Sequence, residues 1–427
     1  MSPEKQNIKY SKNSFVNCLV LGVLMNYKET LDYIHSLGKF TFPAGLKRIK
    51  KVLEMLGNPQ NRFKSIHIAG TNGKGSVSAF VSSVFKTAGY KTGLFISPFI
   101  IDFRERIQIN GEFISETDLA FYAQRVMETG AELNEFEFIT ALAFLYFESK
   151  KIDVLVCETG LGGRLDATNT LENLACTVIT KIGLDHTAVL GDTIEKIAEE
   201  KCGILRDCPT VTTPYQPENA LNVIKNRAKQ LIIPDISQLK VLSDNTYIYK
   251  DEEFEISLKG EFQIEYSLVA IDTIKNCGYN IPYNIIYKGL KNTFFPARLE
   301  VISEKPLVLL DGAHNPDGAN VLAREISKLQ EKPVAIIGMM RVKNVKEVLR
   351  TLLVHCQSAV VVTVPNNPRS MSAEELCLIA GEYCPCDAAA NLNTALEITA
   401  NKPTVIFGSL YLASAIRPPA MQKYNKI

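Results

Sequence analysis

From Lys64 onward, short apolar runs alternate with stretches of helical periodicity, and this alternation narrows the possible folds more than any other feature of the chain. KSIHIAG reads as a strand, and after it Val77, Phe80, Val81, Val84, Phe85 and Ala88 recur at helical spacing. TGLFISP, IDVLVCETG and ACTVITKIG read as three further strands, each ending in polar or glycine residues. Such a succession builds an α/β fold with a mainly parallel sheet covered by helices. Ligands in open sheets of this kind sit at the carboxyl ends of the strands. The four punctuated ends are therefore expected to face one cleft.

A chain of 427 residues is too long for a single hydrophobic core, so two domains are expected. The helical pattern stops at the proline of KGLKNTFFPARLEVI, and a fresh alternation follows in PLVLLDGAHNPDG, PVAIIGMM, SAVVVTVP and PTVIFGSLYLASAI. The boundary is placed at Pro296. At the other end, Met25 opens an amphipathic helix, MNYKETLDYIHSL, with Leu31, Ile34 and Leu37 on one side. Residues 1–24 are expected to be a non-native or disordered upstream extension. Their apolar segment FVNCLVLGVLM is interrupted by Asn17, has no small-residue cleavage site and is too short to span a membrane.

Composition excludes some classes of partner. A formal charge of +1 argues against a nucleic-acid backbone, which needs a broad basic surface. With 46% apolar and 22% charged residues the chain reads as soluble and globular, with no membrane partner. The ten cysteines show no CxxC spacing, and several lie in apolar runs such as VLVCE and LACTVI, as expected of buried thiols in a reducing cytoplasm. Cys384 and Cys386 of CPC read as loop thiols without a metal.

The first strand runs into IHIAGTNGKGSVSAF, which resembles a phosphate loop with unusual spacing. The common pattern places four residues between its leading glycine and Gly-Lys, with Ser or Thr after the lysine. Here only Thr71 and Asn72 separate Gly70 from Gly73-Lys74, and Gly75 stands before Ser76. A glycine loop between strand and helix presents backbone N–H groups and the positive helix end to polyphosphate. Lys74 would neutralise phosphate oxygens, with the Ser76 hydroxyl nearby. A glycine turn used only for close packing is the alternative.

Three more stretches carry candidate chemistry. In CETGLGGRLDATN, Glu158 ends a strand, where a carboxylate can hold magnesium beside phosphates, or can be a plain surface acid. In KIGLDHTAVLGDTIEKIAEEKCGI, His186 follows a strand and an Asp, while Lys201 ends a helical run and could equally belong to a solvated face. In LLDGAHNPDG, Asp311 and His314 again follow a strand.

GTNGKGS, ETGLGGRLDATN, GLDHTAVLGDTIEKIAEEKCGI, PARLE, DGAHNPDGA and GSLYLASAI together resemble the folylpolyglutamate synthase and dihydrofolate synthase family, within the Mur ligase superfamily, in order from about Met25 to near the C-terminus. The resemblance implies a P-loop-type ATP-binding domain over residues 25–295 and a smaller Rossmann-like ligase domain over residues 296–427. It implies that Asn72, Gly73, Lys74, Gly75 and Ser76 cradle ATP phosphates, and that Arg298, Asp311 and His314 reach ATP from the second domain. Ser97, Glu158, His186 and Lys201 match ligands of a dinuclear magnesium site, with Lys201 carried as a carbamate. Phe136, Glu137, Leu165, Asp166 and Ala167 match positions lining a pterin site. An aromatic ring such as Phe136 can stack on a flat ligand or simply pack in the core.

This chain also departs from the family. The usual ATP-binding asparagine falls on Tyr266, the usual Trp-Pro-Gly-Arg-Leu-Glu reads Phe295-Pro296-Ala297-Arg298-Leu299-Glu300, and the final acid of an Asp-Lys-Asp pattern is Asn344.

The implied reaction is ATP-dependent formation of an amide from L-glutamate and either a reduced folate or 7,8-dihydropteroate, through an acyl phosphate, by a cytoplasmic monomer. Lys74, Glu158, His186 and Lys201 would carry the catalysis. Polyglutamylation alone is one alternative. A Mur-type cell-wall ligase is another, but its UDP-sugar domain has no counterpart in the roughly 40 residues before the loop strand. A GTPase-type switch would need Asn-Lys-x-Asp, which TKIGLDH does not supply.

Overall fold

The computed structural model of the chain describes residues 25–38, 41, 44–341 and 344–424. The extension expected at residues 1–24, and Val342 and Lys343 of GMMRVKN, lie outside the described residues. The chain divides into two compact units. One holds the described residues through Ser97, Arg104–Ser237 and Tyr266–Leu290; the other holds Pro98–Phe103, Gln238–Glu265 and the described residues from Lys291 onward.

The first unit is built on an eight-stranded sheet, made of β1 (Lys64–Ala69), β2 (Thr92–Phe95), β3 (Ile107–Ile109), β4 (Glu112–Phe113), β5 (Val154–Glu158), β6 (Leu174–Ile179), β7 (Pro209–Thr212) and β8 (Gln230–Ile232). Their order is β4-β3-β2-β5-β1-β6-β7-β8. The four strands expected from the sequence, β2, β5, β1 and β6, lie side by side and run parallel. Their carboxyl ends therefore share one edge of the sheet. β5 is VLVCE, buried at every position, which is the continuous apolar pattern of a strand covered on both faces. β3 and β4 form an antiparallel hairpin at one margin, turned by Asn110 and Gly111 with φ of 52° and 80°. Both central residues at positive φ suit a tight hairpin, and Asn-Gly is the sequence that tolerates them.

Two helices frame the site in this unit. Helix Lys74–Thr87 follows β1 directly, and its residues Gly75 to Ser82 are all buried. Helix Glu135–Ser149 starts at a capping box in which the Asn134 side chain accepts from Glu137 N and the Glu137 carboxylate accepts from Asn134 N.

The second unit holds a three-stranded antiparallel sheet, β9 (Leu239–Val241), β10 (Thr246–Tyr249) and β11 (Glu252–Glu255). It also holds a six-stranded sheet, with β12 (Glu300–Glu304), β13 (Leu307–Leu310), β14 (Val334–Ile337), β15 (Ser358–Val361), β16 (Cys386–Ala388) and β17 (Thr404–Phe407) in the order β12-β13-β17-β14-β15-β16. β12 runs antiparallel to β13 and the other pairings are parallel.

Side chains alternate across this sheet with the period of two that a strand imposes. Leu309, Ala335 and Ile337 join Leu322, Val348 and Leu376 in one core cluster. Val308, Leu310, Ile336 and Ile406 join Leu412 and Ile416 in the other. Helices thus cover both faces, as in a Rossmann-like layer.

Candidate active site

The glycine loop is fixed by its own backbone. Thr71 N and Asn72 N both donate to the Lys181 carbonyl, at 2.9 and 3.1 Å, and the Thr71 hydroxyl bonds the Gly183 backbone at 3.1 Å. This ties the end of β1 to the end of β6. Gly70 has no room for a side chain, since a Cβ there would lie 1.8 Å from Thr180 Oγ1. Gly73 has φ of 90°, and a Cβ on it would lie 2.5 Å from the ring of Tyr266. The first intrahelical bond after it runs from Val77 N to Gly73 O at 2.9 Å. The N–H groups of the helix's opening turn, Lys74 to Ser76, have no acceptor within the helix and form an anion site by geometry.

Charged side chains converge on that turn. Lys74 Nζ lies 3.8 Å from Glu158 Oε1 and donates to the Thr71 carbonyl at 3.3 Å. Glu158 is 5% exposed at the end of β5, and its Oε2 accepts weakly from Ser97 N at 3.4 Å. Lys201, at the end of helix Ile194–Cys202, is 4% exposed and donates to Gly70 O at 2.7 Å. It is not part of a solvated helix face. Burial lowers its ammonium to about 7 and the Lys74 charge adds to that, while Asp185, Asp166 and Glu158 act in the opposite direction.

One pocket is lined by Lys74, Lys201, His186, Asp185 and the Thr159–Gly162 loop. His186 itself is exposed, has φ of 49°, and sits with Nε2 3.8 Å from Asp185 Oδ2. Asp185 is the residue that sequence reasoning passed over. Its only signal was its place beside His186 in GLDH.

The loop Gly160–Ala167 links this pocket to the positions matched to a pterin site. The Phe136 ring packs on Gly160, so closely that a Cβ there would come within 2.5 Å of it. Asp166 is buried, and its carboxylate accepts from Leu161 N at 2.8 Å and from Thr168 N at 3.0 Å. Burial raises its pKa, opposed by hydrogen bonds from Thr168, Leu161 and Gly160. Phe136 and Asp166 thus meet at Gly160, with Ala167 buried and Leu165 partly exposed beside them. Glu137 is engaged elsewhere: besides capping its helix, its carboxylate receives Arg48 Nη2 at 2.9 Å.

The loop is also fastened to the Lys201 helix. A Cβ on Gly163 would lie 2.7 Å from the Lys201 carbonyl oxygen, and Asn169 Nδ2 donates to the carbonyls of Arg164 and Gly203.

In the second unit, Asp311 follows β13, and its carboxylate accepts from Leu299 N and Ala313 N, both at 2.8 Å. Burial raises its pKa while Arg298 and these N–H groups pull it down. His314 Nδ1 lies 2.8 Å from the Gly312 carbonyl, so that nitrogen carries the proton. The turn bearing Arg298 is held by Glu300, which accepts from Ala297 N at 2.9 Å and from Arg417 Nη2 at 2.7 Å. Ala297, standing where the family pattern has glycine, has φ of 54°.

A strand, a glycine loop with lysine, a buried carboxylate and a second Rossmann-like unit define an ATP-dependent ligase of the Mur type. The models of the Mur ligase middle domain and of the Mur ligase glutamate ligase domain match residues 68–277 and 297–409. The chain is 36% identical over 422 residues to the folylpolyglutamate synthase of Lacticaseibacillus casei, covering 92% of this chain and 98% of that protein. It is 39% identical over 334 residues to the dihydrofolate synthase/folylpolyglutamate synthase of Bacillus subtilis, covering 71% and 76%. The folylpolyglutamate synthase of Mycobacterium tuberculosis, solved with ADP and AMPPCP, superposes with a TM-score of 0.80 at 30% identity, over 88% of this chain and 95% of that one. The chain belongs to the folylpolyglutamate synthase and dihydrofolate synthase family of Mur ligases.

Proposed function

We propose that this protein is an ATP-dependent acid–amino-acid ligase that adds L-glutamate to reduced folates and to 7,8-dihydropteroate. The observation that carries this reading is the convergence of Lys74, Glu158 and Lys201 on the glycine turn at the shared carboxyl edge of β1, β5 and β6. The family relationship supplies the substrate class.

The chemistry follows from charge. A carboxylate is a poor acyl donor because it repels nucleophiles and has no leaving group. One of its oxygens attacks the γ-phosphorus of ATP, the bond to the β,γ-bridging oxygen breaks, and an acyl phosphate and ADP result. The glutamate amine then attacks the acyl carbon, phosphate departs with the C–O electron pair, and the nitrogen loses a proton. Lys74 and the N–H groups of the opening turn bind and orient the phosphates and offset the charge that builds on them. Asn72, Gly73, Gly75 and Ser76 complete that cradle, and Arg298, Asp311 and His314 contribute ATP contacts. Phe136 offers its ring to the pterin, with Glu137, Leu165, Asp166 and Ala167 around that subsite.

Glu158 and Ser97 fit magnesium by the chemistry of their donors, since a buried carboxylate and a serine hydroxyl are both hard oxygens and the Ser97 backbone N lies 3.4 Å from Glu158 Oε2; His186 would add an imidazole nitrogen. Lys201 fits only after modification, since an ammonium repels a metal cation. Its lowered pKa of about 7 supplies the neutral amine that reacts with carbon dioxide, and the product is an anion. Two magnesium ions, when bound, would neutralise charge on the phosphates. On this reading the enzyme works as a monomer in the cytoplasm. No described helix is long and apolar enough to cross a membrane.

The test is phosphate release and product mass with purified protein, ATP, L-glutamate and either dihydropteroate or tetrahydrofolate. Both acceptors are expected to gain one glutamate. Turnover of tetrahydrofolate alone removes the dihydrofolate synthase activity, and turnover of neither overturns the reading.

A further inference from the structure

His67 lies on β1, fully buried, with no partner for Nδ1. Its Nε2 is 2.9 Å from Thr168 Oγ1, which in turn is 2.5 Å from Asp166 Oδ1. The directions of these bonds can be deduced. Asp166 is surrounded by donors, the amides of Leu161, Thr168 and Gly160, so its carboxylate only accepts. The single Thr168 hydroxyl proton therefore goes to Asp166, and the Oγ1 lone pair accepts from His67 Nε2–H. A neutral ring has one N–H, which this places on Nε2 and leaves Nδ1 bare.

A buried bare nitrogen is costly, and an aliphatic side chain at this position would avoid the cost. Packing alone does not account for histidine here. What it adds is a directed N–H, the first link of a relay that runs through Thr168 and Asp166 to the amides of Gly160 and Leu161. Those two residues line the pocket that also holds Lys74 and Lys201, and Gly160 carries the Phe136 ring.

We propose that His67 and Thr168 are positioning residues for the folate acceptor, holding Asp166 in the orientation that fixes the Gly160–Leu161 wall against which the acceptor lies. This rests on the reading that the acceptor is a folate bound beside Phe136. Neither residue touches the reacting atoms. Asp166, with its carboxylate already coordinated by four protein donors, acts mainly as the anchor of the loop.

The test compares Thr168→Val, which keeps the shape and deletes the hydroxyl, with Thr168→Ser, which keeps it. Two quantities are measured: steady-state constants for folate and ATP, and amide hydrogen exchange at Gly160 and Leu161. Thr168→Val is expected to raise KM for the folate acceptor roughly tenfold, leave KM for ATP unchanged, and accelerate exchange at both amides; Thr168→Ser restores each. His67→Gln, whose side-chain amide can donate in place of Nε2, is expected to lie near wild type.

Wild-type exchange in Thr168→Val overturns the relay, whatever the substrate. Exchange that accelerates while folate KM stays at its wild-type value overturns the role in acceptor binding. A wild-type enzyme that turns over no folate overturns the functional reading alone, and exchange at the two amides then still decides whether the relay holds the wall.

Discussion

The ammonium of Lys201 donates a 2.7 Å hydrogen bond to the carbonyl oxygen of Gly70, joining a helix terminus to the first residue of the phosphate loop across 131 positions of sequence. The carbonyl partially compensates a cation that burial disfavours. The same nitrogen is the proposed site of carbamate formation. With 13C-bicarbonate the wild-type protein is expected to show one slowly exchanging carbamate carbonyl in NMR spectra, absent in Lys201→Arg. That variant should lose at least about a hundredfold in kcat. An active Lys201→Arg enzyme would exclude the carbamate.

Lys74 tests the glycine loop separately. Its side chain is mostly buried beside a buried Glu158, but the contact is long at 3.8 Å, so Lys74→Ala should lower stability by only about 1–3 kcal/mol and leave the protein folded. Its role with phosphate predicts a loss of roughly 100- to 1,000-fold in kcat. Full turnover in this variant would mean that the nucleotide binds elsewhere.

Burial depresses the His67 pKa to about 3, with the Arg206 charge adding to the effect, against 6.5 for the free side chain. Below 6.5 the unfolded chain takes up a proton that the folded chain refuses. Stability contributed by this group is thus complete above pH 6.5 and is lost as pH falls toward 3, with a slope of up to about 1.4 kcal/mol per pH unit. Denaturant titrations between pH 7 and pH 4 should show a shallower decline for His67→Gln than for wild type. Parallel curves would show that the ring is protonated in the folded state.

Arg417 and Glu300 form a mostly buried pair, and Glu300 also holds Ala297 N. Removing the arginine leaves an uncompensated carboxylate, so Arg417→Met should destabilise the second unit by about 3 kcal/mol. Arg417→Lys should recover only part of this, because an ammonium cannot reproduce the three contacts from Nε and Nη2. The check is chemical denaturation followed by a probe in the second unit.

Much of the architecture was legible because it is local. The apolar runs of β1, β2, β5 and β6 announce buried strands, and the glycines after β1 announce a turn entering a helix. The three-stranded sheet was not seen, since KDEEFEI reads as charged and exposed although Tyr247, Tyr249 and Phe254 are buried in it. Pairings over long separations left no local trace. His67 finds Thr168 across 101 residues, and Glu300 finds Arg417 across 117. Lys201 shows the same limit. Its sequence setting, TIEKIAEEK, is that of a solvated helix, and only the tertiary fold turns its ammonium inward.

Gly73 faces two separate demands, a left-handed backbone and an aromatic ring where a methyl group would stand. Shrinking Tyr266 would clear the space but leave the dihedral angle, so no single compensating change elsewhere can license another residue at this turn. During evolution, drift at position 73 would therefore find no partner to offset it, and a descendant lacking this glycine would have had to rebuild the whole loop.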